Sequence, residues 1–435
     1  MLAFGTDGVR GKAFVDITLD DAYQLGVAVA RSLKCSRAAV GRDPRISGPA
    51  LELALVEGLT SEGVEVIALG MVPTPCVAYV SEIENVIGIA ITASHNKWED
   101  NGVKVFAPGG VKLSDAAEAD IVRHLADAPG ARAERTAAVI ERGRYVDRYV
   151  ESRVRMVAQD IGGGMRVVLD CANGAMSEVA PEVFRRLGAQ VDLIHALPDG
   201  MNINDACGAT APESLGTEVT AVRANVGFAF DGDGDRLAVV DERGQVIEGD
   251  RLLAILAHYM RAHNRLANDT LVVTVMSNMG LHRAMGEAGI KVDVTAVGDR
   301  YVLDHMNHHG HVLGGEQSGH VIIRDRATTG DGLMAAIAVI ELMVETGKPV
   351  SELADSVMVT VPQVLINVTT SIPAKEAVAK MQQQINEATA SLGERGRVLV
   401  RASGTEPLVR VMVECDSAQK AQQVAEGLAA LATSL

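Results

Sequence analysis

Leu271-Val-Val-Thr-Val275, the periodic stretch 281–288 and Gly289-Ile-Lys-Val-Asp293 read in order as strand, helix, glycine stop and strand. The first run is β-branched and too short for a helix, and Gly289 stands where a helix end calls for positive φ. The same unit occurs twice earlier. It runs from Ala39-Val40 through 51–61 to Gly63-Val-Glu-Val-Ile67, and from Val167-Val-Leu169 through 179–187 to Gly188-Ala-Gln-Val-Asp192. Strand–helix–strand alternation predicts sheets with parallel strands covered by helices. Such units also repeat inside one large sheet, but three copies spread along the chain suggest three α/β domains.

The chain after about 361 reads differently, as strand 363–368, helix 374–390, strands 397–401 and 409–414, and helix 418–431. That is a compact α+β layout and a fourth domain. The stretch 126–138, with Pro129, Gly130 and mixed charge, marks a boundary, and a helix over 145–158 bridges the first two domains. The expectation is three similar α/β domains with mixed sheets plus a C-terminal α+β domain, divided as 1–152, 153–245, 246–360 and 361–435.

With 435 residues, 48% hydrophobic and 22% charged, the chain can bury several cores. Lys and Arg number 40 against 56 Asp and Glu, a net charge of −16, which argues against nucleic-acid or anionic-membrane partners. The same acidity would repel a small anionic substrate unless cations gather at one place. Five Cys residues (Cys35, Cys76, Cys171, Cys207, Cys415), with no CxxC spacing, fit a reduced compartment. The N-terminus lacks a basic region followed by an apolar run. The longest near-apolar stretch, 333–344, is broken by Glu341 and too short for a bilayer. These features together predict a cytoplasmic protein. His305, His308, His309 and His311 read as solvated imidazoles at a helix end rather than a metal centre.

Four loops carry chemistry. Thr92-Ala-Ser-His-Asn96 follows an apolar strand; adjacent Ser94 and His95 cannot easily face each other as nucleophile and base, and the G-x-S-x-G elbow is absent. Asp231-Gly-Asp-Gly-Asp-Arg236 sets three carboxylates at alternate positions, with glycines that let them converge on one hard cation. Glu242 falls at the twelfth position of an EF-hand, but Arg236 replaces its glycine and the flanks read as strands. Mg²⁺ favours a few carboxylates plus phosphate oxygens, so a phosphate partner is implied. Gly314-Gly-Glu-Gln-Ser-Gly-His320 presents a carboxylate, an amide, a hydroxyl and an imidazole in one tight turn. Arg401-Ala-Ser-Gly-Thr-Glu406, with Arg410, offers backbone N–H groups, hydroxyls and guanidinium forks suited to phosphate.

Together with Phe4-Gly-Thr-Asp-Gly-Val-Arg-Gly11, these loops occur in the order of the α-D-phosphohexomutase superfamily, which the chain resembles over its whole length. Phe-Gly-Thr-Asp-Gly and the Gln of Gly-Glu-Gln-Ser-Gly-His resemble the glucosamine branch. The resemblance implies a heart-shaped four-domain enzyme around a central cleft. It implies a phosphoserine at Ser94, and one Mg²⁺ per chain held by Asp231, Asp233, Asp235 and an oxygen of that residue. It implies that Glu316 and Ser318 contact the sugar. Arg401, Ser403, Gly404, Thr405 and Arg410 would hold the non-reacting phosphate, and Arg10, Lys104 and His320 would surround the transferred one. The activity implied is exchange of glucosamine 6-phosphate and glucosamine 1-phosphate through a sugar 1,6-bisphosphate, feeding UDP-N-acetylglucosamine synthesis. The partner is then a small hexosamine phosphate, and a homodimer stays open. Glucose or mannose phosphates remain rival substrates within the superfamily, and a non-catalytic sugar-phosphate binding protein is the rival outside it. One departure stands out. The family commonly has Pro after Ser-His-Asn, where this chain has Lys97, which puts the loop's conformation in question.

Overall fold

The computed structural model describes residues 8–130, 139–140, 142–157, 163–402 and 408–435. They form two compact units. The first takes Met1–Val275 with Lys291–Ser356, and the second Met276–Ile290 with Val357–Leu435.

The first unit holds three sheets. In the first, Arg37–Arg42 lies parallel between Glu65–Met71 and Ile87–Ile91. Asp100–Ala107 and Val9–Lys12 extend it antiparallel. The second sheet runs Val246–Ile247, Leu237–Asp241, Val226–Phe230, Arg166–Asp170, Gln190–Ile194, with its parallel pairs on either side of Arg166–Asp170. The third runs Lys291–Thr295, Thr270–Thr274, Leu313–Gly315, Val321–Ile323. The sheets are mixed, as expected. Ile87–Ile91 and Val226–Phe230 are buried at every position, which explains why they read as continuous apolar runs rather than alternating ones. Gly63, Gly188 and Gly289 take φ of +81°, +86° and +69°, so the glycine stops behave as the sequence implies.

Each chemistry-bearing loop of this unit leaves the C-terminal end of a strand. Residues 92–99 follow Ile87–Ile91, 231–236 follow Val226–Phe230, and 316–320 follow Leu313–Gly315. Ligands of open α/β sheets gather at such ends. The bridging helix is Arg142–Arg155, starting and ending earlier than the expected 145–158. Tyr149 and Arg153 on it both bond Asp331, at 2.9 and 3.0 Å. Asp331 also caps the helix Gly332–Thr346 through the Met334 N–H.

The second unit is an antiparallel sheet, Gln363–Thr369, Leu408–Cys415, Gly396–Ala402, backed by helices. Val409, Val411 and Val413 form its core with Ala421, Ala425 and Leu428. The single helix expected over 374–390 is two, Ala374–Lys380 and Gln382–Leu392, meeting at the fully buried Met381. The break has no Gly or Pro to announce it. The helix Met279–Glu287, though it lies in sequence between the parallel strands Thr270–Thr274 and Lys291–Thr295, belongs to this unit. Its cap residue Asn278 exchanges two hydrogen bonds with the Val361 backbone, and buried Glu414 accepts from the Met279 N–H. No helix of the described residues is long and apolar enough to cross a membrane.

Candidate active site

Ser94 is buried, with its hydroxyl donating to Asp231 Oδ2 at 2.6 Å. Its backbone sits at φ +53°, a strained conformation for a residue with a Cβ. The surroundings impose that strain. Thr92 Oγ1 accepts from the Ser94 N–H at 2.8 Å and donates to Asp43 Oδ2 at 2.6 Å. The guanidinium of Arg45 donates to the carbonyls of Ser94 (2.9 Å), Asn96 (2.8 Å), Asp100 (3.0 Å) and Lys97. Asn204 Nδ2 donates to the Ser94 and Asn96 carbonyls, both at 2.9 Å. Arg45 and Asp43 pair at 2.9 Å with neither side chain exposed. The clamp includes Lys97. Arg45 grips the Lys97 carbonyl, which every residue type has, and the side chain points to solvent.

Asp231, Asp233 and Asp235 are buried, each bringing a carboxylate oxygen within 4.8 Å of the others. The EF-hand is excluded, since strands Val226–Phe230 and Leu237–Asp241 flank the loop. The Gly234 and Arg236 N–H groups donate to Asp231 Oδ1, both at 3.1 Å. Thr74 holds Asp233 through Oγ1 at 2.7 Å. Lys104 Nζ bonds Asp233 at 2.9 Å and Asp235 at 2.6 Å. Burial, reinforced by Asp233 and Asp235, holds the Asp231 carboxyl well above the usual range. Asp233 Oδ1 is buried with no hydrogen-bond partner among the described residues. Crowded carboxylates with an orphaned oxygen fit a hard divalent cation.

The third loop docks on the same strand. The Leu237 N–H donates to the Gly319 carbonyl at 3.0 Å. His320 is buried 3.2 Å from Asp299 and 3.7 Å from Asp235. Burial alone would lower its pKa, but Asp299 and Asp235 outweigh it and the pKa is raised. Glu316 accepts from the Gly298 N–H at 3.0 Å, and burial, then Asp299, raises its pKa. Ser318 is exposed. His95 is pushed down to about 4 by burial, then by Arg236 and Arg10. Arg236 and Arg10 thus set positive charge near His95, the neighbour of Ser94, against the negative charge of Asp235 and Asp233.

The structure thus brings together Ser94, Lys104, His320, the three aspartates and Glu316, with Arg10 close enough to act on His95. Arg401 and Arg410 face each other across strands of the second unit. Ser403, Gly404 and Thr405 lie outside the described residues, as does Phe4-Gly-Thr-Asp7. Sequence reasoning missed Asp43, Arg45 and Asn204. The signal for the first two was Asp43-Pro-Arg45, charges stranded directly after a buried strand.

Known proteins match the chain along its length. Models of the phosphoglucomutase/phosphomannomutase domains I, II and III and of the C-terminal domain match residues 1–130, 143–244, 248–361 and 365–431. A phosphoglucosamine mutase of Saccharopolyspora erythraea is 48% identical, with 99% of each chain covered. One of Moorella thermoacetica is 47% identical at the same coverage. A solved phosphoglucomutase/phosphomannomutase family protein of Burkholderia thailandensis superposes with a TM-score of 0.82 at 26% identity, covering 99% of this chain and 97% of that one. N-acetylphosphoglucosamine mutase of Aspergillus fumigatus, solved with GlcNAc-6P and magnesium, shares the fold at a TM-score of 0.70 and 18% identity, covering 100% of this chain and 96% of that one. With four domain models matched in order along its length, the chain belongs to the phosphoglucomutase/phosphomannomutase family.

Proposed function

We propose that the chain is a phosphosugar mutase interconverting glucosamine 6-phosphate and glucosamine 1-phosphate, with Ser94 carrying the phosphoryl group in transit. The observation that carries the reading is the Ser94 hydroxyl, 2.6 Å from Asp231 and held in a strained loop beside three buried carboxylates. The substrate follows from relatives 46–48% identical over nearly the whole chain that bear the phosphoglucosamine mutase name.

Asp231, Asp233 and Asp235 would hold one Mg²⁺, which offsets the repulsion between these carboxylates and a phosphorylated Ser94. The protein's remaining task is positioning, because phosphoryl transfer passes through a loose transition state that needs alignment and charge stabilisation. Arg45 and Asn204 fix the Ser94 backbone by its carbonyl, so Oγ keeps one direction. In the forward half-reaction O1 of glucosamine 6-phosphate attacks phosphorus and the P–Oγ bond breaks. One proton passes, in net, from the sugar hydroxyl to Oγ, and the resulting Ser94 hydroxyl donates to Asp231 as seen here. The sugar 1,6-bisphosphate reverses end for end, and Oγ takes the phosphoryl back from O6. Arg10, Lys104 and His320 surround the group in flight, and Glu316 and Ser318 meet sugar hydroxyls. Arg401, Ser403, Gly404, Thr405 and Arg410 hold the phosphate that is not reacting. Arg401 and Arg410 are paired across neighbouring strands, which sets two guanidinium forks side by side.

The test is Ser94→Ala, assayed for interconversion of the two glucosamine phosphates. Loss of turnover is expected, and full activity sinks the mechanism. Binding without turnover in the wild type would favour a non-catalytic binding protein. A higher kcat/KM for mannose or glucose phosphates would overturn the substrate.

A further inference from the structure

The helix Asp299–His309 ends in a cluster that the mutase reading leaves unused. His305, His309 and His311 each offer a ring nitrogen, and these lie within 4.8 Å of one another. Asp293, on the strand Lys291–Thr295, places Oδ2 2.8 Å from His305 Nε2 and 3.2 Å from His311 Nε2. We propose that His305, His309, His311 and Asp293 form a second cation site, selective for Zn²⁺ and distinct from the aspartate triad.

Local structure assembles the four groups. His305 and His309 are one helical turn apart and share a face, with ring centroids 4.1 Å apart. Gly310 ends the helix at φ +71° and turns the chain so that His311 returns beneath the pair. The sequence alone reads these imidazoles as solvated. The structure buries the His311 side chain to 7% exposure and sets a carboxylate from another strand against it.

Orientation argues for a ligand role. His309 Nδ1 lies 3.0 Å from the His305 carbonyl. A carbonyl can only accept, so Nδ1 carries the proton and Nε2 of the neutral ring keeps its lone pair. Proteins fix ligating histidines by this kind of backbone bond on the other nitrogen. Zn²⁺ bound at its usual distances holds tetrahedral ligand atoms about 3.3 Å apart, and the nitrogen–oxygen separations here, 2.8 and 3.2 Å, fall just short of that spacing. Three imidazoles and one carboxylate suit Zn²⁺, whereas Mg²⁺ selects oxygen donors. His309 is exposed, which leaves a route in from solvent.

A bound Zn²⁺ ties Lys291–Thr295, the end of the helix and the chain entering Leu313–Gly315 into one cross-link. The next residue after that strand is Glu316, and the start of the same helix carries Asp299, the partner of His320. The cation therefore stiffens the support of the third loop.

The experiment titrates Zn²⁺, and Co²⁺ as a spectroscopic probe, into the wild-type chain with excess Mg²⁺ present. One Zn²⁺ per chain is expected that Mg²⁺ does not displace, together with the intense visible bands of tetrahedral Co²⁺. His309→Ala and Asp293→Asn should each weaken binding about tenfold or more, while Asp231→Asn leaves it unchanged. Binding indifferent to both cluster variants, binding abolished by Asp231→Asn, or the weak bands of octahedral Co²⁺ would each overturn the proposal.

Discussion

Replacing Arg45 by Met removes the clamp on the Ser94 loop while keeping an apolar stem. The substitution deletes the guanidinium contacts to the Ser94, Asn96, Lys97 and Asp100 carbonyls and to Asp43. Breaking a buried ion pair by removing one partner costs about 3–5 kcal/mol. Here the lower end applies. Asp43 keeps Thr92 Oγ1 and the residue-45 N–H as donors, and Asn204 still serves the Ser94 and Asn96 carbonyls. The penalty has a pH signature. Burial already raises the Asp43 pKa, and Arg45 is the main force pulling it down. Without Arg45 the pKa rises further, so the cost is greatest when Asp43 must ionise and shrinks as pH falls toward its folded pKa. Trp98, the chain's single Trp, lies in this loop and reports on it directly. Urea unfolding followed by Trp98 emission should show a loss of about 3 kcal/mol near neutrality and less in mild acid. The activity effect is separate: about 1 Å of drift at Ser94 lowers kcat about 100-fold. A variant within about 0.5 kcal/mol of wild type, the range of an ordinary surface change, and with kcat nearly unchanged would refute this account of the loop.

Other outcomes follow from the same geometry. A Cβ on Gly232 would meet Asn204 Nδ2, Ile203 Cδ1 and the Ser94 carbonyl, each at 2.7 Å. Gly232→Ala should therefore cost about 1–3 kcal/mol in urea unfolding and lower kcat more than it raises KM. Lys104→Met leaves Asp233 and Asp235 without their ammonium, which destabilises the metal-free chain by about 3–5 kcal/mol. Added Mg²⁺ should then raise its Tm more than it raises that of the wild type, while turnover stays low; equal shifts would contradict the electrostatic role. In the second unit, burial and then Arg397 lower the His282 pKa. A depressed histidine contributes stability above its unfolded pKa that is lost as pH falls through the folded one. His282→Gln should flatten the acid destabilisation of that unit, seen by hydrogen exchange on the strand Leu408–Cys415 between about pH 7 and 5.

Local chemistry was legible in the sequence. The aspartate triad sits on alternate residues of one turn, so its convergence needs no distant partner. The glycine stops at Gly63, Gly188 and Gly289 work through φ alone. What stayed hidden depends on residues far apart in the chain. Arg45 and Asn204 act by gripping carbonyls 49 and 110 positions away, and carbonyls carry no sequence signal. The helix Met279–Glu287 looks like the crossover of its strand pair, yet Asn278 and Glu414 tie it to the second unit. The i, i+4 spacing of His305 and His309 was visible, whereas Asp293 and the burial of His311 were not.

The central claim is that Ser94 carries the phosphoryl group between the two ends of the sugar. Its most direct test is to incubate the enzyme with glucosamine 1,6-bisphosphate labelled in one phosphate, then map the label by peptide mass spectrometry. The account predicts label on the peptide containing Ser94, discharged when glucosamine 6-phosphate is added and absent in Ser94→Ala. Turnover with no label on Ser94, or with label on another residue, would contradict it.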